Sequence, residues 1–336
     1  MATRRQQDYR RPPHFSASNR SYTPRYREEQ PKKSVAGPII FMVLLVVVIG
    51  ACIFFVGPKL FGSKPQQANS NQQQAESASA ENQTTETPAA QPAPANQSQV
   101  WGTASDPRNT EFAVDPTRTT WNLTNPVPMT VYLTFDDGPS ANTQTVLDVL
   151  DRYGIKATFF VTNINPEYIP MIAECYKRGH TIGMHTYSHD YEQVYASKEA
   201  YWNDLNAIAE IVRGQIGYVP CFIRFPGGSS NTISRNYTPG IMTELAQEVQ
   251  AAGYQYYDWD ASCGDGATHT AEELQEATWW DTQYGYQSIV FLMHDGAGKE
   301  TTAEALPNII EYFMAQGYSF SAIDRQTQVP HHGIGN

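Results

Sequence analysis

Two carboxylates stand side by side in VYLTFDDGPS, residues 131–140, where Asp136 and Asp137 close an apolar, β-rich run and a Gly-Pro turn follows at once. Neighbouring side chains on an extended chain point opposite ways. The pair can therefore take two different roles only where the backbone bends, and Gly138-Pro139 supplies a bend. One acid is then free to bind a cation while the other accepts a proton. Two histidines four residues apart, His185 and His189 in HTYSH, can project from one face of a turn or helix start. With one carboxylate they make a His₂Asp set, a three-ligand arrangement for a catalytic divalent metal that keeps positions open for water and substrate. Taken singly, each motif is weak: paired histidines are more often structural or surface residues, and adjacent acids commonly cap helices. Their weight comes from where the chain places them together.

That placement follows from the elements. From Thr130 onward, apolar β-rich runs (TVYLTF, ATFFVT, TIGMH, CFIRFP, YQYYDWD, SIVFLMHD, GYSFSAI) alternate with helical stretches such as NTQTVLDVLDRYG, PEYIPMIAECYKRG and KEAYWNDLNAIAEIVRGQIG. Further helices are expected over TPGIMTELAQEVQAAG, AEELQEATWWDTQYG and TTAEALPNIIEYFMAQG. In the first helix Val146, Leu147 and Leu150 share a face and Gly154 is the stop. Strands alternating with helices are the signature of right-handed βαβ units around a parallel sheet. About seven strands fit an α/β fold, a distorted (β/α)7-type barrel. The polar motifs all fall at strand C-terminal ends, the rim where chemistry gathers in such barrels. The strands deliver Asp136 and Asp137; His185 and His189; Arg224, Pro226, Gly227 and Gly228; Trp259 and Asp265; Leu292 and His294.

TFDDGP, HTYSH, RFPGG, an Asp-containing loop after an aromatic strand, and LMHD, in that order over residues 130–324, resemble the polysaccharide deacetylase family, the NodB-homology group of carbohydrate esterase family 4. The resemblance implies Asp136 as general base, with Asp137, His185 and His189 holding the metal. Arg224 would orient and ionise Asp136 by a charge-assisted hydrogen bond. The Gly227 N–H, beside Pro226, would join the metal in stabilising the oxyanion. His294 would protonate the leaving amine, with Asp265 holding its imidazole cationic. Leu292 would line the acetyl pocket, and Trp259 the groove. Two positions depart from many members: Gly266 stands where a Trp commonly follows the acid, and Gly227 where an aromatic follows Arg-x-Pro. Tyr187, Trp259 and Tyr237 are candidates to compensate. His₂Asp suits zinc, with cobalt or nickel as alternatives.

The other notable residues read more plainly. His180 is expected to pack, Asp295 to form a turn, and Trp279-Trp280 to be helix core and edge. His269, His331 and His332 are assigned to loop or tail, and residues 326–336 to a loose C-terminal tail.

Composition divides the 336 residues unevenly. Residues 1–35 hold nine Lys/Arg against Asp8, Glu28 and Glu29, a balance of +6, so the remainder carries −17 of the whole-chain −11. An acidic body argues against nucleic acid as partner. Ala36–Gly57 has no charged residue and is long enough to cross a bilayer core. It lacks the short apolar core and small-residue cleavage site of a removable signal. It reads as a transmembrane signal-anchor helix, with the basic flank cytoplasmic and the rest extracellular. Residues 58–100 are polar and low in large apolar side chains, a disordered linker. Residues 101–129 read as an irregular lead-in, 130–325 as the catalytic domain.

Cys52 lies in the span, while Cys175, Cys221 and Cys263 lie outside it, where a Cys221–Cys263 bridge and three buried thiols are equally open readings. The combined expectation is a membrane-anchored, metal-dependent N-deacetylase of an N-acetylglucosamine polysaccharide. Peptidoglycan comes first as its substrate, then chitin-like or poly-N-acetylglucosamine chains, then acetylated xylan. A non-catalytic wall-binding module and a small-amide hydrolase are the rivals.

Overall fold

The computed structural model describes residues 106–336, Thr268 excepted. The expected tail 1–35, span 36–57 and linker 58–100, with the first residues of the lead-in, lie outside the described residues. Among those described, no helix is long and apolar enough to cross a membrane.

Strand β1 (Thr130–Asp136) is buried at all seven positions, as a parallel strand covered on both faces must be. It pairs with β7 (Ser288–His294) over its whole length. Its C-terminal half pairs with β2 (Thr158–Val161), its first two residues with β8 (Ser319–Phe320). Beyond β2 lie β3 (Thr181–Met184), β4 (Phe222–Ile223) and β5 (Gln255–Tyr256), and beyond β7 lies β6 (Ala261–Ser262). All these pairings are parallel.

The helices are α1 (Arg108–Glu111), α2 (Ala141–Tyr153), α3 (Pro170–Lys177), α4 (Tyr191–Val194), α5 (Lys198–Ile216), α6 (Ile241–Ala251), α7 (Ala271–Thr282) and α8 (Glu300–Ala315). Their ends follow local chemistry. Ser140 and Thr143 form a capping box on α2, whose last turn closes on Gly154 at φ 66°. Ser197 caps α5 and Thr270 with Glu273 caps α7. Val146, Leu147 and Leu150 are wholly buried on α2's inner face, as the spacing predicts.

The expected near-closed, seven-stranded barrel is instead a curled half-barrel sheet of eight strands. The difference lies in YQYYDWD, expected as one strand. Tyr257 N–H still donates to Ile223 O of β4, but Asp260 N–H donates to Val290 O of β7. The chain crosses from one ladder to the other, splitting into β5 and β6, and no ladder joins these two edges among the described residues. The last strand shrinks to two residues, and PEYIPMIAECYKRG breaks at Ile169-Pro170 into a short 3₁₀ turn and α3. The lead-in packs as expected: Phe112 joins the core and Ala113 bridges Pro220. Cys175, Cys221 and Cys263 are free and buried, so the bridge is not formed.

The loose C-terminal tail is a further correction. Residues 329–336 lie bonded along the β5 edge: Val329 N–H donates to Asn122 O, Asp258 N–H to Pro330 O, and Gly335 N–H to Ser229 O. The His331 ring stacks on Tyr256 at 4.0 Å. Polar side chains and backbone, not apolar periodicity, fasten this segment, and a hydropathy pattern carries no trace of that.

Candidate metal and acid–base centre

Asp136 ends β1, and Asp137 follows at φ 67° in the left-handed region. The bend expected from Gly138-Pro139 therefore begins at the second acid itself, turning it out of the strand. Gly138 is required here because a Cβ would come within 2.3 Å of Asp295 Oδ1. Asp137 reaches across to the HTYSH loop, where its Oδ1 lies 3.4 Å from His189 Nε2 and 3.7 Å from His185 Nε2. Ligand atoms of the three residues all lie within 4.8 Å of one another. Bond lengths of about 2.0–2.2 Å in a tetrahedral site put neighbouring ligand atoms roughly 3.4 Å apart, so the set fits a small dication. Asp137 Oδ1 is buried and has no hydrogen-bond donor among the described residues. That is costly for a carboxylate oxygen unless a cation completes it.

His185 is wholly enclosed, and burial, with the neighbouring His189, lowers its pKa to about 3. It is therefore neutral. Its Nδ1–H donates to Arg224 O at 2.8 Å, which leaves the Nε2 lone pair facing the carboxylates, the tautomer a metal ligand needs.

Asp136 stays apart from this set. Its Oδ1 accepts a 2.8 Å bond from Arg224 Nη1, and its Oδ2 lies 3.6 Å from His185 Nε2. Burial raises its pKa, with Arg224 opposing. Arg224 is itself enclosed, over the Phe160 ring at 4.3 Å. It also donates to Thr134 Oγ1, Tyr257 O and Asp258 O. Those two carbonyls belong to the crossing between β5 and β6, so one guanidinium fastens the Asp136 carboxylate and satisfies the break in the sheet.

Opposite, His294 is the register partner of Asp136 on β7. Its Nδ1 bonds Asp265 Oδ1 at 2.8 Å, while Asp265 Oδ2 accepts from His294 N–H and Thr302 Oγ1, both at 2.8 Å. Burial opposes ionisation of Asp265, but the His294 bond leads the contributions that hold its pKa below the ordinary range. Burial alone would also lower His294; Asp265, with Asp136 and Asp137, overcomes this and raises its pKa to about 9. The imidazole is cationic at neutral pH with Nε2–H free to donate.

Of the groove residues, Pro226 is tied by its carbonyl to Tyr195 OH at 2.8 Å, and Leu292 sits nearly buried on β7. Gly227 is at φ 74°, and no described residue accepts its N–H. Trp259 backs the loop, within 3.0 Å of a Cβ placed at Gly228. Tyr187 and Tyr237 are exposed. Gly266 has open space around it.

The packing expectation holds for His180 but not for the Trp279-Trp280 pair, both of which are exposed, and Asp295 forms no turn of its own. His180 packs, accepting Ala157 N–H and lowered by burial to about 4. Asp295 lies buried under the Gly138 turn, pushed by burial up to about 7, and accepts from Thr143 Oγ1. Two residues escaped the sequence reading. Tyr191, on the short α4, places its hydroxyl 2.6 Å from where a Gly227 Cβ would stand, with its ring edge-on to His189 at 5.6 Å. It fills the space beside Gly227. Asp204, on α5, binds the HTYSH loop. The only signal for either was proximity in sequence to the histidines.

The family model for polysaccharide deacetylase matches residues 124–255. The chain is 30% identical over 208 residues to YheN of Bacillus subtilis, which carries the name of a polysaccharide deacetylase, covering 60% of this chain and 70% of that one. It is 29% identical over 204 residues to a peptidoglycan-N-acetylglucosamine deacetylase of Bacillus cereus, covering 59% and 71%. Among solved structures, the catalytic domain of a peptidoglycan N-acetylglucosamine deacetylase from Eubacterium rectale superposes with a TM-score of 0.62 at 44% identity, over 66% of this chain and all of that domain. With its curled parallel sheet and the five motifs gathered on one rim, the chain belongs to the polysaccharide deacetylase family.

Proposed function

We propose that this deacetylase is metal-dependent and removes N-acetyl groups from N-acetylglucosamine residues of peptidoglycan, outside the cell, held to the membrane by residues 36–57. One observation carries the catalytic reading. Asp136, held by Arg224, stands 3.6 Å from a ligand of the Asp137–His185–His189 set without belonging to it, while cationic His294 faces it from the neighbouring strand. Amide hydrolysis needs an activated water, a sink for oxyanion charge and an acid for the departing nitrogen. A divalent ion, zinc first by the chemistry of the donors, supplies a lowered water pKa and carbonyl polarisation when bound.

The chain's own groups do the rest. Asp136 accepts the water proton at Oδ2, the oxygen not taken by Arg224. Gly227 N–H, free of any described acceptor, donates to the oxyanion. His294 delivers its Nε2 proton to nitrogen and is recharged by the proton collected at Asp136. Leu292 and Pro226 shape the acetyl side, and Trp259 supports the wall. The choice of peptidoglycan rests on similar proteins from Bacillus cereus and Eubacterium rectale that bear that substrate in their names. The membrane reading rests on the uncharged run and its basic flank.

The test is acetate release and mass spectrometry of glycan fragments after incubation with the metal-supplied chain. A loss of acetyl mass per N-acetylglucosamine is expected, falling by roughly 10²–10⁴ in Asp136→Asn. Binding to wall fragments without any mass change would favour a non-catalytic module.

A further inference from the structure

We infer that Asp204, on a helix outside the motif set, is the positioning residue that fixes His189 for the cation; this rests on the metal-centre reading above. The two histidines are held in different ways. The His185 ring is oriented through its own Nδ1, bonded to Arg224 O. The His189 ring has no such hydrogen bond among the described residues. Among the described residues, the Asp137 carboxylate and the rings of His185 and Tyr191 lie beside it. Its direction is set by the backbone of the loop that carries it.

That backbone is unusual. Thr186 and His189 sit at φ 70° and 52°, a region branched or bulky side chains seldom adopt. Such conformations persist only where their surroundings over-determine them. Asp204 does this from α5. Its Oδ1 accepts both Tyr187 N–H and Ser188 N–H, the latter at 3.1 Å, and its Oδ2 accepts Ser188 Oγ–H at 2.6 Å. Ser188 Oγ in turn accepts Asp190 N–H at 3.2 Å, and Thr186 Oγ1 accepts His189 N–H at 3.3 Å. One carboxylate thus gathers the two residues between the strained positions.

The carboxylate is itself anchored. Ser197 caps α5, and Tyr201, Leu205 and Ile208, flanking Asp204, are fully buried, the Tyr201 ring 5.4 Å from Phe225. The grip therefore runs from the domain core through Asp204 to the loop and to His189. The Asp204 carboxylate bonds the loop and acts on the site through it.

Partners that orient metal ligands typically carry about 10–100-fold in metal affinity. The experiment is zinc titration of the metal-free, full-length chain by calorimetry, with thermal unfolding followed in parallel. Asp204→Ala is expected to weaken zinc binding by about 10–100-fold, because the loop N–H groups turn to water and His189 loses its fixed direction. Asp204→Asn keeps an acceptor for both N–H groups and should retain most of the affinity. Ser188→Ala removes one of the three bonds and should give a smaller loss. It also keeps the inference testable if Asp204→Ala fails to fold. Unchanged affinity in Asp204→Ala, or in Ser188→Ala when the former does not fold, overturns the inference. So does an Asn variant as weak as the Ala variant, which would mean that charge and not loop geometry acts. An unaltered chain that binds no zinc overturns the metal-centre reading itself, and the inference with it.

Discussion

At the residue scale, the His294–Asp265 pair makes the most direct statement about pH. His294 sits at about 9 in place of 6.5 because Asp265, backed by Asp136 and Asp137, outweighs burial. In the metal-free chain, its imidazole should titrate by NMR near pH 9, and in Asp265→Asn the midpoint should fall towards 6.5. A histidine that already titrates near 6.5 in the unaltered chain contradicts the pairing. The raised folded-state pKa also means that His294's contribution to stability is complete below pH 6.5 and is lost as pH rises through about 9, whereas Asp265, held below its ordinary range, loses its contribution only as pH falls past that range. Burial raises the pKa of Asp136 against the pull of Arg224, so this carboxylate becomes protonated at a higher pH than an ordinary one.

Among elements, the segment 329–336 matters more than its composition suggests. His332 N–H donates to Asp258 Oδ2 at 2.8 Å, its Nε2 bonds Trp259 O at 2.7 Å, and its ring lies edge-on to Trp259. Asp258 in turn holds Ser229 N–H and Oγ, just beyond the Pro226-Gly227 turn. Deleting residues 330–336 removes several bonds of about 1 kcal/mol each. The expected cost is on the order of 2–4 kcal/mol, or roughly 4–16 °C in melting temperature, measurable by calorimetry. An unchanged melting temperature would return the segment to the status of a loose end.

The contrast with the legible parts of the chain is physical. TFDDGP, HTYSH, RFPGG and LMHD could be read because each packs its chemistry into a few consecutive residues at a strand end. Helix α2 could be read because its apolar spacing and Gly154 stop are local. The break in YQYYDWD, the Tyr191 infill and the Asp204 grip depend on partners 16 to 36 residues away, on other elements, which no local pattern encodes. The strap of residues 329–336 reads as a tail for the same reason.

For the molecule as a whole, an acidic catalytic body behind a basic flank and an uncharged run predicts a membrane-tethered enzyme. After cell disruption, the full chain should stay with the membrane through alkaline carbonate washing and be released by detergent, whereas release by carbonate alone would contradict the span at 36–57. On the rim of the half-barrel, deacetylation by this route requires one ion shared by three residues from two strand ends, beside an acid that does not bind it. Anomalous diffraction at the zinc edge from crystals of the zinc-loaded chain tests this most directly. A single peak about 2.0–2.2 Å from Asp137, His185 Nε2 and His189 Nε2, with Asp136 outside the ligand set, is the predicted result. A peak elsewhere, or one that takes Asp136 as a ligand, would contradict it.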